Sequence, residues 1–229
     1  VLFFANAQEK AVPYFKNGEA QVVEAFKDES NWIRHDLWVE TTFDSDYDGK
    51  KDRMHVSVTR PSQTDDGLKL PVVYESSPYY AGTAGMIDGL FWDVKHELGQ
   101  QPKPRKHVEV TRRSRRPIIS NSQIRIWVPR GYIVVHSSSP GTGLSDGAPT
   151  VGGKNESLAP KAVIDWLNGR ARGYKSREGN EEVTAYWTTG KVGMTGNTSG
   201  PHVCYRFWKN GVQVDPFKQK LPPGKPVPK

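Results

Sequence analysis

The sequence predicts an α/β fold in which an antiparallel hairpin is followed by parallel strands. Two segments alternate apolar and polar residues on either side of an acidic turn, as the strands of a half-buried hairpin do. Two short runs rich in β-branched residues follow, and an amphipathic helix separates the second run from a last short strand. Strands that alternate with a helix favour a parallel sheet.

The individual elements rest on periodicity and on turn residues. The hairpin turn contains Asp46-Tyr47-Asp48-Gly49, and the predicted helix places Ala162, Val163, Trp166 and Leu167 on one face. The predicted elements are, in order, a short helix at 19–26, strands at 36–41, 54–61, 70–74 and 132–135, a helix at 159–167 and a strand at 191–194.

The composition excludes several classes of protein. The chain has 229 residues, of which 35% are hydrophobic and 25% charged, so it is not collagen-like, coiled-coil or wholly disordered. No apolar run reaches the ~18 residues that a membrane span requires. The single Cys204 excludes an internal disulfide framework and a multi-cysteine zinc site. The length corresponds to one large domain or two small ones.

The net charge of +7 is concentrated in two segments, 103–116 and 201–229. A nucleic-acid-binding protein more often spreads its basic residues over one face and interleaves them with aromatic residues, which neither segment does. We therefore expect no nucleic-acid partner. Residues 80–123 lack sustained periodicity and are interpreted as a surface insertion, whose basic run is either solvated or contacts an anionic partner.

The first seven residues resemble the end of a secretory signal peptide. A short apolar stretch leads to Ala5-Asn6-Ala7, a small-x-small triplet of the kind that precedes a cleavage site. This interpretation predicts a secreted or periplasmic protein, whereas the alternative is a frayed apolar terminus. Residues 8–35 form a separate N-terminal segment of mixed polar and apolar character.

The acidic turn of the hairpin suggests a calcium site. Asp44, Asp46, Asp48 and Asp52 recur around a glycine with the spacing of a calcium-binding loop, and carboxylates suit a hard cation. The twelfth position, where such a loop has a bidentate Glu, is His55. The alternative is a solvated acidic turn without a metal. No other cofactor is expected.

Residues 196–200 follow the last predicted strand and have the spacing of a nucleophile turn. In a G-x-S-x-G turn between strand and helix, closely approaching backbone requires the glycines, and the central hydroxyl is exposed. Here the sequence is Gly196-Asn197-Thr198-Ser199-Gly200, with Thr at the centre. A branched Cβ suits a strained turn poorly, so Thr198 and Ser199 are both candidate nucleophiles.

Several segments, in order, resemble the Xaa-Pro dipeptidyl-peptidases and their relatives, the cocaine-esterase and α-amino-acid ester hydrolase group. The resemblance covers about residues 30 to 200, and its segments are 46–53, 70–79, 131–147, 162–167 and 190–196. It implies that 36–200 is a partial catalytic domain, the N-terminal half of an α/β-hydrolase sheet and therefore incomplete. The segment 131–147 ends in a second turn of the G-x-S-x-G type, Gly143-Leu144-Ser145-Asp146-Gly147.

The resemblance also implies roles for individual residues. Tyr79 would donate its hydroxyl to an oxyanion, together with the backbone N–H that follows the nucleophile. Without the resemblance, Tyr79 is equally well a half-buried aromatic beside a proline turn. The family has Ser followed by Tyr at the nucleophile, so this sequence departs from the pattern at Thr198 and Ser199.

The remaining members of a catalytic triad are not found in the usual order. In α/β-hydrolases an acid and then a His follow the nucleophile. After Thr198 the only His is His202 and the only acidic residue is Asp215. Residues 201–229 contain six prolines and are predicted to be extended or disordered. We interpret the chain as a truncated hydrolase, the alternative being a short paralogue that has lost catalysis.

The function predicted from these residues is serine-type hydrolysis of peptide bonds through an acyl-enzyme. An esterase or acylase of the same family is an alternative, and so is a non-catalytic binding fragment. The substrate is accordingly a peptide or an ester, and the chain by itself is expected to be inactive. His136, at the end of a predicted strand, is interpreted as a hydrogen-bonding residue rather than a base. Cys204 has little support as a nucleophile.

Overall fold

The structure, a computed structural model, describes residues 11–78, 121–150, 153–195, 207–209 and 212–214. Its two α-helices are α1 (Ser122–Trp127) and α2 (Lys154–Leu167). Its strands are β1 (Phe15–Lys16), β2 (Glu19–Ala20), β3 (Trp32–Glu40), β4 (Arg53–Pro61), β5 (Leu70–Ser77), β6 (Ile133–Ser138), β7 (Gly173–Tyr174), β8 (Thr188–Thr195), β9 (Phe207–Lys209) and β10 (Val212–Val214). Single turns of 3₁₀ helix lie at Glu24–Phe26, Glu29–Asn31, Ser62–Thr64 and Val128–Arg130.

Six of these strands form one mixed sheet in the order β7-β3-β4-β6-β5-β8. Strand β3 pairs antiparallel with β4, which is antiparallel to β6, whereas β5 is parallel to both β6 and β8. The predicted α/β class, with an antiparallel hairpin before parallel strands, is therefore confirmed. This mixed sheet agrees with the partial α/β-hydrolase sheet that the resemblance implies.

The central strands are buried on both faces, which explains their composition. Every residue of β6 is buried, and β5 is buried over most of its length. Strands covered on both faces consist of nearly continuous β-branched and apolar residues, as the run Ile133–Val135 does. Strand β3 lies nearer the edge of the sheet and is buried mainly at the residues that face the main core, whereas β4 is buried from Met54 to Pro61 although its sequence alternates.

The main core lies between the sheet and α2. Trp166 and Leu167 of the helix pack against apolar residues of β3, β4, β5 and β6. The Trp166 indole N–H also donates to the Val183 carbonyl at 2.7 Å. Gly173 lies so close to this ring that a Cβ there would be 2.5 Å from the indole nitrogen. A smaller apolar cluster, on the opposite face, joins Val134 to Ile124 of α1.

Two sequence predictions of local structure differ from the structure. Residues 19–26 do not form a helix, because Asn17 and Gly18 both have positive φ and turn the chain into the β1–β2 hairpin. Only Glu24–Phe26 is helical, as one 3₁₀ turn. Helix α2 begins at Lys154 rather than at 159, because its first turn is polar and carries no apolar periodicity.

The C-terminal segment also differs in part from its prediction. Strands β9 and β10 pair antiparallel within 201–229, which was expected to be extended or disordered. In the sequence they are separated by Asn210-Gly211, the residue pair that two-residue hairpin loops favour. Across the described parts of the chain, neither helix has the length and apolar character needed to cross a bilayer.

Tyr74 provides a test of the described core. Its hydroxyl shares a 2.6 Å hydrogen bond with the Ser137 hydroxyl, and burial raises the pKa of Tyr74 to about 12. Because the folded pKa exceeds the unfolded value of about 10, the neutral phenol's stabilisation is complete below pH 10. It is lost as the pH rises from 10 through 12. Tyr74→Phe is expected to cost about 1 kcal/mol at pH 7 by urea unfolding.

The matched measurement is the absorbance of ionised tyrosine at pH 11 in the wild type and in Tyr74→Phe. If Tyr74 is buried and un-ionised, the two folded proteins give the same tyrosinate absorbance at pH 11. A wild-type signal larger by one ionised tyrosine would contradict the assignment.

Candidate functional site

The carboxyl ends of β5, β6 and β8 meet at one edge of the sheet. Glu75 of β5 is in register with Thr195 of β8, and Ser77 is in register with Ser138 of β6. Because the three strands are parallel, the segments that follow them leave from the same edge, where ligands of open α/β sheets bind. The predicted strand at 191–194 is confirmed and extends over Thr188–Thr195.

The predicted catalytic residues lie just beyond these strand ends. Tyr79 is two residues past the end of β5, while Thr198 and Ser199 follow β8 by three and four residues. All three lie outside the described residues. The structure brings together the two strands from which these residues continue, since Tyr74 and Met194 are paired neighbours.

A buried imidazole–carboxylate contact lies at this edge of the sheet. The Nε2 atom of His136 is 3.5 Å from Oε2 of Glu75, and the two side chains are only 1% and 7% exposed. The interpretation of His136 as a hydrogen-bonding residue stays a prediction, and the structure shows the Glu75 carboxylate as a neighbour of its ring. Sequence analysis missed Glu75, because a single acidic residue at the end of an apolar run carries no periodic signal.

The second G-x-S-x-G turn, 143–147, does not present a nucleophile. Ser145 is buried, and its hydroxyl accepts from the His55 backbone N–H at 2.9 Å while it donates to the Ser138 carbonyl at 2.9 Å. The hydroxyl thus bridges β4 and β6 where the two strands diverge. Gly147 (φ +91°) is required, since a Cβ there would collide with the Asp52 carboxylate.

The loop that contains Ser145 is fixed to the β3–β4 hairpin. The Trp38 indole N–H donates to the Leu144 carbonyl at 3.2 Å, and the Arg53 backbone N–H donates to the Asp146 carboxylate at 3.1 Å. The acidic turn and the loop after β6 are therefore one connected unit, which adjoins the edge where the parallel strands end.

Three of the four predicted calcium ligands lie together. Asp44, Asp46 and Asp48 each place a carboxylate oxygen within 4.8 Å of the other two. Asp52 instead accepts from the Ser45 backbone N–H at 3.1 Å and from the Ser45 hydroxyl, and burial raises its pKa. Its carboxylate supports the loop after β6. Calcium at the other three carboxylates stays a prediction.

The twelfth position of the predicted calcium loop has a different role. His55 is completely buried and its ring stacks on Trp38, with ring centroids 4.9 Å apart. Its Nε2 atom is 3.8 Å from the Asp36 carboxylate. The side chain therefore belongs to the sheet and not to the turn.

Other sequence predictions fall outside the described residues. These are the signal-peptide interpretation of 1–7, nearly all of the insertion at 80–123, and the three residues weighed after the nucleophile turn, namely His202, Cys204 and Asp215. Gly196 and Gly200, which bracket that turn, also fall outside.

Comparison with known proteins gives one family. The sequence profile of the X-Pro dipeptidyl-peptidase (S15) family matches residues 48–213, a range that continues past 200 into the segment predicted to be extended or disordered. A protein of Rhodopirellula baltica provisionally named Xaa-Pro dipeptidyl-peptidase is 58% identical over 86% of this chain and 33% of its own length. The Xaa-Pro dipeptidyl-peptidase of Ligilactobacillus salivarius is 34% identical over 81% of this chain and 26% of its own length.

Solved structures give weaker similarity. An α-amino acid ester hydrolase aligns with a TM-score of 0.37 at 15% identity, covering 78% of this chain and 23% of the hydrolase. A CocE/NonD family hydrolase from Staphylococcus aureus aligns with a TM-score of 0.36 at 17% identity, covering 76% of this chain and 27% of that protein. The chain thus spans a third or less of the length of these relatives and structures.

Ser145→Ala tests the bridging role of the Ser145 hydroxyl. The substitution leaves the His55 N–H and the Ser138 carbonyl without their partner, and we expect a loss of about 1–3 kcal/mol in the free energy of unfolding. Urea unfolding measures it, with the exposed Thr184→Ala as a control that changes stability by less than about 0.5 kcal/mol. A stability equal to that of the wild type, or labelling of Ser145 by a fluorophosphonate, would contradict this role.

Thermal unfolding in calcium tests the acidic turn. At free Ca²⁺ about ten-fold above its dissociation constant, binding to the folded state stabilises by about 1.4 kcal/mol. For a chain of this size that raises Tm by about 3–6 °C. The paired change Asp46→Asn and Asp48→Asn is expected to abolish the shift, whereas Asp66→Asn, at an exposed carboxylate outside the turn, retains it. An unchanged Tm in millimolar Ca²⁺ would favour the solvated turn.

Proposed function

The chain belongs to the X-Pro dipeptidyl-peptidase (S15) family, and we propose that it supplies the nucleophile and oxyanion side of a serine-type hydrolase that cleaves peptide bonds. One observation carries the proposal: β5 and β8 are adjacent and parallel, with Glu75 in register with Thr195. The residues that follow these strands include Tyr79 and the turn 196–200. The family match spans both segments.

The proposed chemistry uses a hydroxyl of the 196–200 turn. Ser199 or Thr198 attacks the substrate carbonyl carbon, and the hydroxyl proton passes to a base. The oxyanion accepts hydrogen bonds from the Tyr79 hydroxyl and from the backbone N–H after the nucleophile. The C–N bond then breaks, the leaving nitrogen takes the proton from the base, and water hydrolyses the acyl-enzyme.

This scheme also needs a base and an acid that orients the base. After Thr198 the sequence contains only His202 and Asp215, in the reverse of the usual order. The relatives are about three to four times as long as the region that this chain matches. We propose that polypeptide corresponding to their further region supplies the base and the acid.

Ser145 is not a nucleophile in this scheme. Its hydroxyl is buried and bonded at both sides between β4 and β6. Glycine spacing alone therefore does not identify the reactive turn, since 143–147 and 196–200 share it. The position at the end of β8 distinguishes the second of the two.

Fluorophosphonate labelling tests the proposal. The chain by itself is expected to react little, because a hydroxyl without a base is a weak nucleophile. Mixed with the polypeptide that follows the matched region in the Rhodopirellula relative, it is expected to be labelled at Thr198 or Ser199 and to release p-nitroaniline from an Xaa-Pro p-nitroanilide. Alanine at the labelled position removes the signal, and the exposed Thr150→Ala retains it.

The outcomes of this experiment separate the alternatives. Labelling with turnover of p-nitrophenyl esters but not of the anilide would assign an ester substrate and overturn the peptidase proposal. Labelling at another residue, or none in the mixture, would remove the proposed nucleophile.

A further inference from the structure

A row of polar residues crosses the sheet at one level. Each member is paired in register with the next, from β3 through β4, β6 and β5 to β8. In that order the row consists of Asp36, Ser57, His136, Glu75 and Thr195.

All five residues project from the face opposite α2. Their neighbours in each strand, such as Leu37, Val56 and Val135, belong to the core against α2, and successive side chains of a strand point to opposite faces. The row ends at Thr195, directly before the turn proposed to carry the nucleophile.

Glu75 and His136 form the buried middle of the row. Their side chains are 7% and 1% exposed, and Oε2 of Glu75 lies 3.5 Å from Nε2 of His136. Ser57, the next member, is also buried. Glu75 thus lies on the strand between β6, which contains His136, and β8, which precedes 196–200.

Stability alone does not account for such a contact. Removing a carboxylate and an imidazole from water costs free energy that their contact returns only in part, and apolar residues of similar volume are often as stabilising or more so. The contact does restrict geometry, because neither side chain can move away without leaving a buried polar group without its neighbour.

We propose that Glu75 and His136 are positioning residues that fix the end of β8 against β5, the two strands that lead in the sequence to 196–200 and to Tyr79. This inference rests on the proposed function, which explains why the end of β8 would need to be fixed. The contacts that support it lie only on β5, β6 and β8. Neither residue touches substrate in this proposal.

Replacing the pair by two leucines tests it in the full chain. In Glu75→Leu with His136→Leu, Tm is expected to equal or exceed that of the wild type. Amide hydrogen exchange in the peptide covering β8 is expected to be at least about ten-fold faster, with no change in β4. In the labelling mixture described above, the rate is expected to fall at least about ten-fold, since misplacing a reacting group by about 1 Å can cost 100-fold.

The matched control is a second imidazole–carboxylate contact on this face, between Asp36 of β3 and His55 of β4, 3.8 Å apart and away from β8. Asp36→Leu with His55→Leu is expected to leave exchange in β8 unchanged. If the Glu75/His136 double-leucine chain does not fold, amide hydrogen exchange in β8 is measured in Glu75→Gln with His136→Gln instead. That variant keeps polar groups at both positions but no charge.

Exchange in β8 that stays at the wild-type rate would overturn the proposal, and so would an equal rise in β4, which indicates general destabilisation. Absence of labelling in the wild-type mixture would remove the proposed function instead, and the exchange result would still decide the positioning role.

Discussion

Strand β5 lies between two parallel neighbours, and this constraint determines where the candidate site can form. Parallel strands require crossover connections, so β5, β6 and β8 each enter from the same side and end at the same edge. The segments after β5 and β8 contain Tyr79 and the 196–200 turn, about 120 residues apart in the sequence. Pairing of the two strands brings together the ends of β5 and β8, from which these distant segments continue.

The two faces of the sheet have different roles. Towards α2, the strands present apolar residues and Tyr74, whose hydroxyl is bonded to Ser137. On the opposite face, the row of polar residues runs from Asp36 to Thr195 and contains Glu75 and His136. Apolar burial against α2 stabilises the fold, and the polar row restricts the geometry of the edge at which β5, β6 and β8 end.

Periodicity predicted the sheet well because its signal is local. The alternation in the hairpin and the run Ile133–Val135 identify strands without knowledge of their partners. The helix expected at 19–26 was wrong because a turn at Asn17-Gly18 outweighed a weak apolar pattern. Roles that depend on long-range contacts were not predictable: the hydrogen bond that the Ser145 hydroxyl accepts from the His55 N–H joins segments 90 residues apart.

The same limit applies to the candidate site. Spacing grouped Asp52 with Asp44, Asp46 and Asp48, but the fold turns its carboxylate towards Ser45 and the loop after β6. Glu75 gave no signal in the sequence, because its importance comes from a neighbour on another strand.

Backbone NOEs between β5 and β8 test the central claim most directly, because they report strand direction and register without any substitution. The account predicts the parallel pattern, with contacts between Tyr74 and Met194 and between Glu75 and Thr195. An antiparallel pattern, or pairing of β8 with another strand in place of β5, would separate the ends of β5 and β8 and contradict the account.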